Sequence, residues 1–178
     1  MFINPMLAKA SKEPFDDPAY VFEIKWDGER CIATIEGGKI VKLHSRKGNE
    51  ITRQFPEIVG QPVMAQSGIL DGEIVVFNGG GVPSFKKLSE RSHLQDTRRI
   101  GLLSKMTPAN YRVFDILSVN GENVMGKPLV ERKDLLSRYV PQNDVIVGLS
   151  MFTAKDGKQM FEAVTQQGHE GVMAKRLD

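Results

Sequence analysis

The sequence is poor in the residue types that form covalent crosslinks and zinc sites. It has one cysteine, Cys31, and three histidines among 178 residues. A single cysteine excludes an intramolecular disulfide and favours a reducing compartment. His44, His93 and His169 lack the short spacings of zinc ligands, so we expect no zinc site. Cys31 lies in an alternating strand pattern and is predicted to be buried and unreactive.

Long apolar runs and an excess of one charge are also absent. No stretch approaches the roughly 18 apolar residues of a membrane span, and the opening M-F-I-N-P-M-L-A-K lacks the features of a signal peptide. The 24 lysines and arginines almost balance the 22 aspartates and glutamates, which gives a net charge of +2. The single cysteine and the lack of a membrane span or signal peptide together predict a cytoplasmic protein with no membrane partner. This balance neither requires nor excludes a nucleic-acid partner.

Strand signals outnumber helix signals along the chain, and hairpin turns such as Glu36-Gly37-Gly38 recur. Alternation and turn residues predict strands over 20–27, 30–35, 39–44, 68–77, 111–119, 144–149 and 170–175. Helices are predicted over 56–64, 84–91, 98–105, 131–139 and 155–167. This pattern predicts an α+β fold with largely antiparallel sheets flanked by helices. No linker divides residues 1–178, so one domain is expected.

The sharpest chemical pattern is E-I-K-W-D-G-E-R at residues 23–30. On strand parity, Lys25 shares a face with Glu23 and Asp27, ahead of a turn at Gly28. A charged strand face with salt bridges is the plain interpretation of this pattern. The functional interpretation is a lysine nucleophile held among carboxylates.

Two apolar strands carry further candidate residues. Asp71 and Glu73 lie on one face of the strand over 68–77, which fits a binding site or a solvated strand edge. Phe114 lies inside Y-R-V-F-D-I-L, where an aromatic side chain either packs in the core or stacks on a base. The residues themselves leave both alternatives open at each position.

The last two patterns combine charge with glycine. Glu170 and Lys175 in E-G-V-M-A-K would face opposite ways in a regular strand, so a shared pocket requires a bulge or twist near Gly171. The turn S-R-K-G at residues 45–48 carries Arg46, and by itself such a turn is usually a solvated hairpin end.

In this order, the motifs resemble those of the DNA ligase branch of the covalent nucleotidyltransferases. The matching stretches are K-W-D-G-E-R, S-R-K-G, L-D-G-E-I-V-V-F, Y-R-V-F-D-I-L and E-G-V-M-A-K, and the opening P-M-L-A also fits. The family continues with a further lysine-containing strand and an oligonucleotide-binding barrel. Neither is present in residues 1–178. We therefore expect an adenylation domain whose full-length protein carries that barrel.

The resemblance implies an ATP-grasp-like nucleotidyltransferase fold and a covalent mechanism. Lys25 attacks the α-phosphorus of ATP and forms lysyl-AMP, which requires a neutral amine. A free lysine has a pKa of about 10.4, so its surroundings must favour that form. Mg²⁺ is expected beside Glu170 because it prefers oxygen ligands. The implied nucleotide contacts are Glu23 and the Ile24 backbone to adenine, Phe114 stacked on adenine, Glu73 to ribose, Arg30 and Lys175 to phosphates, and Arg46 to phosphate of the nucleotide or DNA.

Three other functions share parts of this pattern. RNA ligases and capping guanylyltransferases have the same lysine motif, whereas Glu23 and the M-A-K ending favour DNA ligase. A non-catalytic nucleotide- or nucleic-acid-binding descendant would not require an intact Lys25. The expected macromolecular partner is nicked duplex DNA, bound by a monomer that seals nicks poorly without its barrel.

Overall fold

The structure is a computed structural model that describes residues 3–142 and 144–178. Within those residues the strands are β1 (Tyr20–Ile24), β2 (Glu29–Glu36), β3 (Lys39–Ser45), β4 (Ser67–Val76), β5 (Ala109–Val119), β6 (Glu122–Asn123), β7 (Val147–Leu149), β8 (Phe152–Ala154) and β9 (Val172–Arg176). The helices are α1 (Phe85–Ser92), α2 (Thr97–Met106), α3 (Leu129–Tyr139) and α4 (Gly157–Gln166). No helix in this described part of the chain is long and apolar enough to cross a membrane.

A large sheet has the order β3-β2-β4-β5-β6, with β7 paired to the first part of β5. All its strand pairs are antiparallel except β5 with β7. The β2–β3 turn uses Gly37 and Gly38 at φ of 58° and 73°, a backbone region that glycine enters without steric cost. These pairings confirm the predicted α+β fold with largely antiparallel sheets.

One face of the large sheet forms the hydrophobic core, and the opposite face carries charge. Alternate residues of β2 and β4 enter the core, among them Leu70 and Ile74. Cys31 is fully buried there, which confirms its predicted burial. Because side chains alternate across a strand, Asp71 and Glu73 of β4 point to the opposite face, as does Arg30 of β2, which pairs with Asp71. The two-carboxylate face predicted for this strand is therefore present.

A β-bulge in β5 places Phe114 outside the core. Asp71 pairs with Asp115 and Gly72 pairs with Val113, so Phe114 is the extra residue opposite one step of β4. The core cluster includes Val113 but not Phe114. The bulge thus directs an aromatic side chain of a buried strand toward the charged face.

A small sheet, in the order β8-β1-β9, is antiparallel throughout. Helix α4 packs on it, and Phe22 of β1 meets Phe15 edge-to-face, with ring centroids 5.6 Å apart. Gly157 leaves no room for a side chain here, because a Cβ would lie 2.3 Å from the Phe15 carbonyl oxygen and 2.4 Å from the Phe22 ring. This contact fixes the start of α4 against β1.

The helix predicted over 56–64 is wrong. The structure has a 3₁₀ turn at Thr52–Gln54 followed by irregular turns. The N–H of Gly60 donates to the Ile40 carbonyl at 2.7 Å, and the N–H of Val63 donates to the Gly38 carbonyl at 2.9 Å. These donors bond to the β2–β3 hairpin, so a continuous helical ladder does not form.

Several predicted elements are present with different ends. The strand predicted over 20–27 stops at Ile24, and the one predicted over 144–149 is reduced to β7. The helix predicted over 155–167 begins at Gly157, because Lys155 has a left-handed φ of 77° and residues 152–154 form β8. The three-residue strand β8 was not predicted.

Candidate functional site

The loop between β1 and β2 carries Lys25 beside the start of β9. The Lys25 backbone N–H donates to the Gly171 carbonyl at 2.9 Å, and its side-chain amine forms an ion pair with Glu170. Both side chains are about half exposed, at 43% and 48%. The indole N–H of Trp26 donates to the Ser150 hydroxyl at 2.9 Å and holds the loop from the other side.

Gly28 allows this loop to approach β4 closely. A Cβ at this position would lie 2.2 Å from the Ile74 carbonyl oxygen and 2.8 Å from the Glu73 side chain. No larger residue fits without moving the loop, so Gly28 sets the distance between Lys25 and the large sheet.

The backbone turn at Gly171 explains the orientations of Glu170 and Lys175, which would face opposite ways in a regular strand. Gly171 has a φ of 147°, a conformation that side-chain-bearing residues rarely adopt, and β9 begins only at Val172. Glu170 therefore lies outside the strand and meets Lys25, while Lys175 within β9 meets Glu23. The predicted irregularity at Gly171 is confirmed.

Glu23 of β1 lies at the centre of a buried charge cluster. It is 1% exposed and forms an ion pair with Lys133 through one carboxylate oxygen, and it accepts from Lys175 at 2.9 Å through the other. Lys133 also donates to the Phe114 carbonyl oxygen at 2.7 Å. Burial lowers the pKa of Lys133, although the charge of Glu23 opposes that shift. The charged strand face with salt bridges inferred for β1 is thus present at Glu23, where it is buried.

Two cations lie over the Phe114 ring. The guanidinium of Arg30 is 4.6 Å and the ammonium of Lys175 is 4.0 Å from the ring centroid, both within cation–π range. Arg30 also donates twice to Asp71, at 2.5 and 2.7 Å. Burial raises the pKa of Asp71, and the hydrogen bonds from Arg30 oppose this. Phe114 is therefore an aromatic surface within a polar cluster.

Glu73 lies at the edge of this cluster, in the electrostatic field of Arg30 and Lys25. It lies opposite Arg30 in the β2–β4 register. Burial raises the pKa of Glu73 to about 8, while the charges of Arg30 and Lys25 act in the lowering direction. A protonated Glu73 can both donate and accept a hydrogen bond near neutral pH.

The structure brings together most of the predicted site residues. The charge cluster contains five of them: Glu23, Arg30, Glu73, Phe114 and Lys175. Lys25 and Glu170 pair with each other at the border of this cluster. Ile24 contributes its backbone to the pairing with Val172. Arg46 lies exposed in the turn after β3, and within the described residues it forms no hydrogen bond or ion pair with the other candidates.

Sequence reasoning missed Lys133. Its sequence signal is its spacing, because Leu129, Lys133 and Leu136 fall at i, i+4 and i+7, the buried stripe of α3. A lysine on such a stripe must find a partner, and its two hydrogen-bond partners, Glu23 and Phe114, lie in β1 and β5.

Two cavities adjoin Lys25 and Glu170. The larger, about 650 Å³, lies between the segment 8–15 and the small sheet, and its lining includes Lys9, Lys12 and Lys25. The smaller, about 170 Å³, is lined by Asp27, Pro83, Gly168, His169 and Glu170. The lining of the larger cavity includes none of Glu23, Glu73 or Phe114. This cavity therefore lies beside the small sheet and outside the charge cluster.

The family is decided by a match over almost the whole chain. A family model described as "ATP dependent DNA ligase domain" matches residues 5–178. The chain belongs to this family. This match confirms the resemblance to DNA ligases that the motifs predicted. All the motif residues named above fall inside the matched range.

Curated relatives of this ligase-family domain are longer proteins. The SPbeta prophage-derived DNA ligase-like protein LigB of Bacillus subtilis (strain 168) is 35% identical over 183 residues, which cover 100% of this chain and 62% of that protein. DNA ligase C1 of Mycolicibacterium smegmatis is 33% identical over 185 residues, covering 99% of this chain and 52% of that protein. The chain thus spans less than two thirds of the length of these relatives.

Solved structures confirm the fold of the ligase-family domain. A mycobacterial DNA ligase D complexed with ATP and MES superposes with a TM-score of 0.76 at 28% identity, covering 98% of this chain and 54% of that one. The ligase domain of M. tuberculosis LigD gives a TM-score of 0.70 at 26% identity, covering 92% of this chain and 50% of that one. The nucleotidyltransferase fold implied by the motifs is the fold of these ligase domains.

Proposed function

We propose that this chain binds ATP and transfers its AMP group to Lys25. The observation that carries the proposal is the position of Lys25, next to Glu170 and within electrostatic range of Glu73 at the border of the charge cluster. Family membership supports this reaction class, and the structure of the mycobacterial DNA ligase D is a complex with ATP and MES.

The proposed step is a substitution at the α-phosphorus. The lone pair of the neutral Lys25 amine forms the new N–P bond, the bond between the α-phosphorus and its bridging oxygen breaks, and pyrophosphate leaves with that electron pair. Once the N–P bond has formed, the nitrogen releases one proton to water and keeps one N–H in the phosphoramidate. Because Lys25 pairs with Glu170, the carboxylate and the amine must separate before attack. The pair is exposed, so its separation costs little.

The buried cluster is proposed to hold the nucleoside. Glu23 accepts from the adenine amino group, assisted by the Ile24 backbone, and Phe114 stacks on the base. Glu73 bonds to a ribose hydroxyl. A base stacked on Phe114 takes the place of Arg30 or Lys175 on the ring, and the displaced cation becomes available to the phosphates. Arg46 is proposed to contact phosphate of the nucleotide or of DNA.

The residues near Lys25 fit a magnesium ion that keeps most of its waters. Glu170 and Asp27 line one small cavity, and no group of three or more ligating side chains occurs in the described part of the chain. Mg²⁺ typically takes one or two carboxylates together with substrate phosphate. Glu170 would hold it, and the ion would neutralise phosphate charge.

We further propose that the AMP passes to the 5′-phosphate at a nick in duplex DNA. The 3′-hydroxyl then attacks that phosphate, a phosphodiester forms and AMP leaves. The relatives are named as DNA ligases, which supports DNA as the acceptor. Since this chain spans less than two thirds of their length, the residues beyond the matched part are proposed to contribute to sealing.

The test of adenylation uses ATP or GTP labelled at the α-phosphate. The protein is incubated with Mg²⁺ and each nucleotide, denatured and separated on a gel. Label from ATP should remain with the protein, and label from GTP should not. Retention of GTP label alone would indicate a capping-type guanylyltransferase. No retained label from either nucleotide would indicate a non-catalytic binding domain.

A further inference from the structure

Lys133 is the buried cation that joins the two sheets at the charge cluster. It lies on α3, its residue is 6% exposed, and its ammonium contacts Glu23 of the small sheet and Phe114 of the large sheet. None of the ligase motifs includes this residue, which lies between Y-R-V-F-D-I-L and E-G-V-M-A-K.

One ammonium group therefore holds Glu23 and Phe114, the two residues whose side chains are proposed to contact the base. It forms an ion pair with a carboxylate oxygen of Glu23 and donates to the Phe114 carbonyl oxygen at 2.7 Å. Phe114 is the bulged residue of β5, so its backbone is not held by a regular ladder. The Lys133 bond compensates for that and sets where the ring lies relative to the Glu23 carboxylate.

We propose that Lys133 is a positioning residue that sets the preference of this site for adenine over guanine. The inference rests on the proposed function, in which Glu23 accepts from the adenine amino group. At the same ring position adenine presents an N–H donor and guanine presents a carbonyl acceptor. A carboxylate held in place accepts from the first and repels the second. Without Lys133, Glu23 keeps only its bond to Lys175 and turns away from the base edge.

A purely structural role explains Lys133 less well. Burying a charged pair costs desolvation and is a poor source of stability. The preceding residue already anchors α3 to β5, because Arg132 donates to Asp115 at 2.8 and 2.9 Å. Arg132 contacts neither Glu23 nor the Phe114 carbonyl oxygen among the described contacts, so it provides a matched control.

The experiment compares Lys133→Met with Arg132→Met. Calorimetry measures the Kd of AMP and of GMP. These monophosphates have no pyrophosphate leaving group, so they bind without reacting with Lys25. Lys133→Met should weaken AMP binding by about tenfold, the loss expected for one charge-assisted hydrogen bond, and should change GMP binding little. Arg132→Met should lower the Tm and leave the AMP-to-GMP ratio unchanged.

An unchanged ratio in Lys133→Met, whatever its Tm, would overturn the proposal. If Lys133→Met does not fold, Lys133→Gln tests the same prediction, because its N–H group supports folding at the buried position while its neutral, shorter side chain loses the ion pair with Glu23 and should still lower the AMP-to-GMP ratio. Failure of the proposed adenylation is seen separately. A wild-type protein that prefers AMP but retains no label from ATP would contradict adenylation and leave the role of Lys133 intact.

Discussion

Phe114 shows how a single side chain decides between two interpretations of one motif. An aromatic residue within a buried strand is ordinarily core, yet the Phe114 ring meets Arg30 and Lys175 instead of the core cluster. The residue is 9% exposed, so burial alone does not separate the alternatives. The contacts of the ring favour a binding surface.

We predict that Phe114→Ala weakens ATP binding more than it weakens the fold. Loss of stacking should cost on the order of 1 kcal/mol beyond the area term. A true core phenylalanine would instead cost roughly 3 kcal/mol or more of folding stability. The Tm of both proteins is measured with and without ATP. An equal ATP-induced shift in wild type and variant would contradict the stacking role.

Glu73 should make the stability of the protein depend on pH. Burial raises its pKa to about 8 from 4.5, so the folded state binds more protons than the unfolded state between these values. Stability contributed by the protonated side chain is therefore present at low pH and is lost as pH rises through this window. Glu73→Gln should reduce that decline.

Urea unfolding at about pH 5 and about pH 8.5 measures this effect. Glu90→Gln, at an exposed position of α1, is the matched control and should leave the decline unchanged. The same loss of stability with pH in wild type and Glu73→Gln would contradict the assignment to Glu73.

The motifs predicted Lys25, Glu23, Phe114 and Lys175 as neighbours, because each of these residues lies in a short pattern with its own signal. Lys133 has no such pattern. Its ion pair with Glu23 spans 110 positions of sequence, and a lysine in a helix is ordinarily assigned to the surface. Pairing at that separation is a property of the fold.

At the scale of elements, the loop between β1 and β2 depends on a close approach to β4. We predict that Gly28→Ala destabilises the protein by about 1–3 kcal/mol, the usual cost of overpacking, because its Cβ would meet the Ile74 carbonyl oxygen. The displaced loop should also reduce labelling of Lys25 by ATP.

Gly101→Ala is the control for this substitution. Gly101 lies within α2, and a Cβ there meets nothing within 4 Å. Alanine should stabilise this helix by up to about 1 kcal/mol and leave labelling unchanged. Denaturant unfolding measures the stability of both variants, and labelling with ATP measures adenylation of Lys25 in each. A Gly28→Ala protein with wild-type stability and labelling would show that the close approach has no functional role.

Strong local signals predicted the elements that formed. The β2–β3 hairpin has two glycines at its turn, and α3 has its buried positions, Leu129, Lys133 and Leu136, at a helical spacing. The helix over 56–64 failed because its backbone donors found partners on the hairpin, a tertiary effect that propensity does not contain. Strand β8 has three residues, too few for a period of two to stand out.

At the scale of the whole molecule, nick sealing is expected to need more than these 178 residues. The chain spans 62% or less of the relatives described above, and its net charge of +2 offers little attraction to a phosphate backbone. We predict slow self-adenylation and weak sealing of a nicked duplex. Extension by an oligonucleotide-binding barrel should increase both rates. Equal sealing with and without the barrel would contradict this prediction.

The identity of the nucleophile tests the account most directly. The protein is incubated with Mg²⁺ and ATP, digested, and the peptides are analysed by mass spectrometry. AMP should be found on Lys25, and Lys25→Arg should carry none, because a guanidinium remains protonated. Lys105→Arg, a change at an exposed lysine of α2, should be labelled like wild type. A stable AMP adduct on another residue, or a labelled Lys25→Arg protein, would contradict the account.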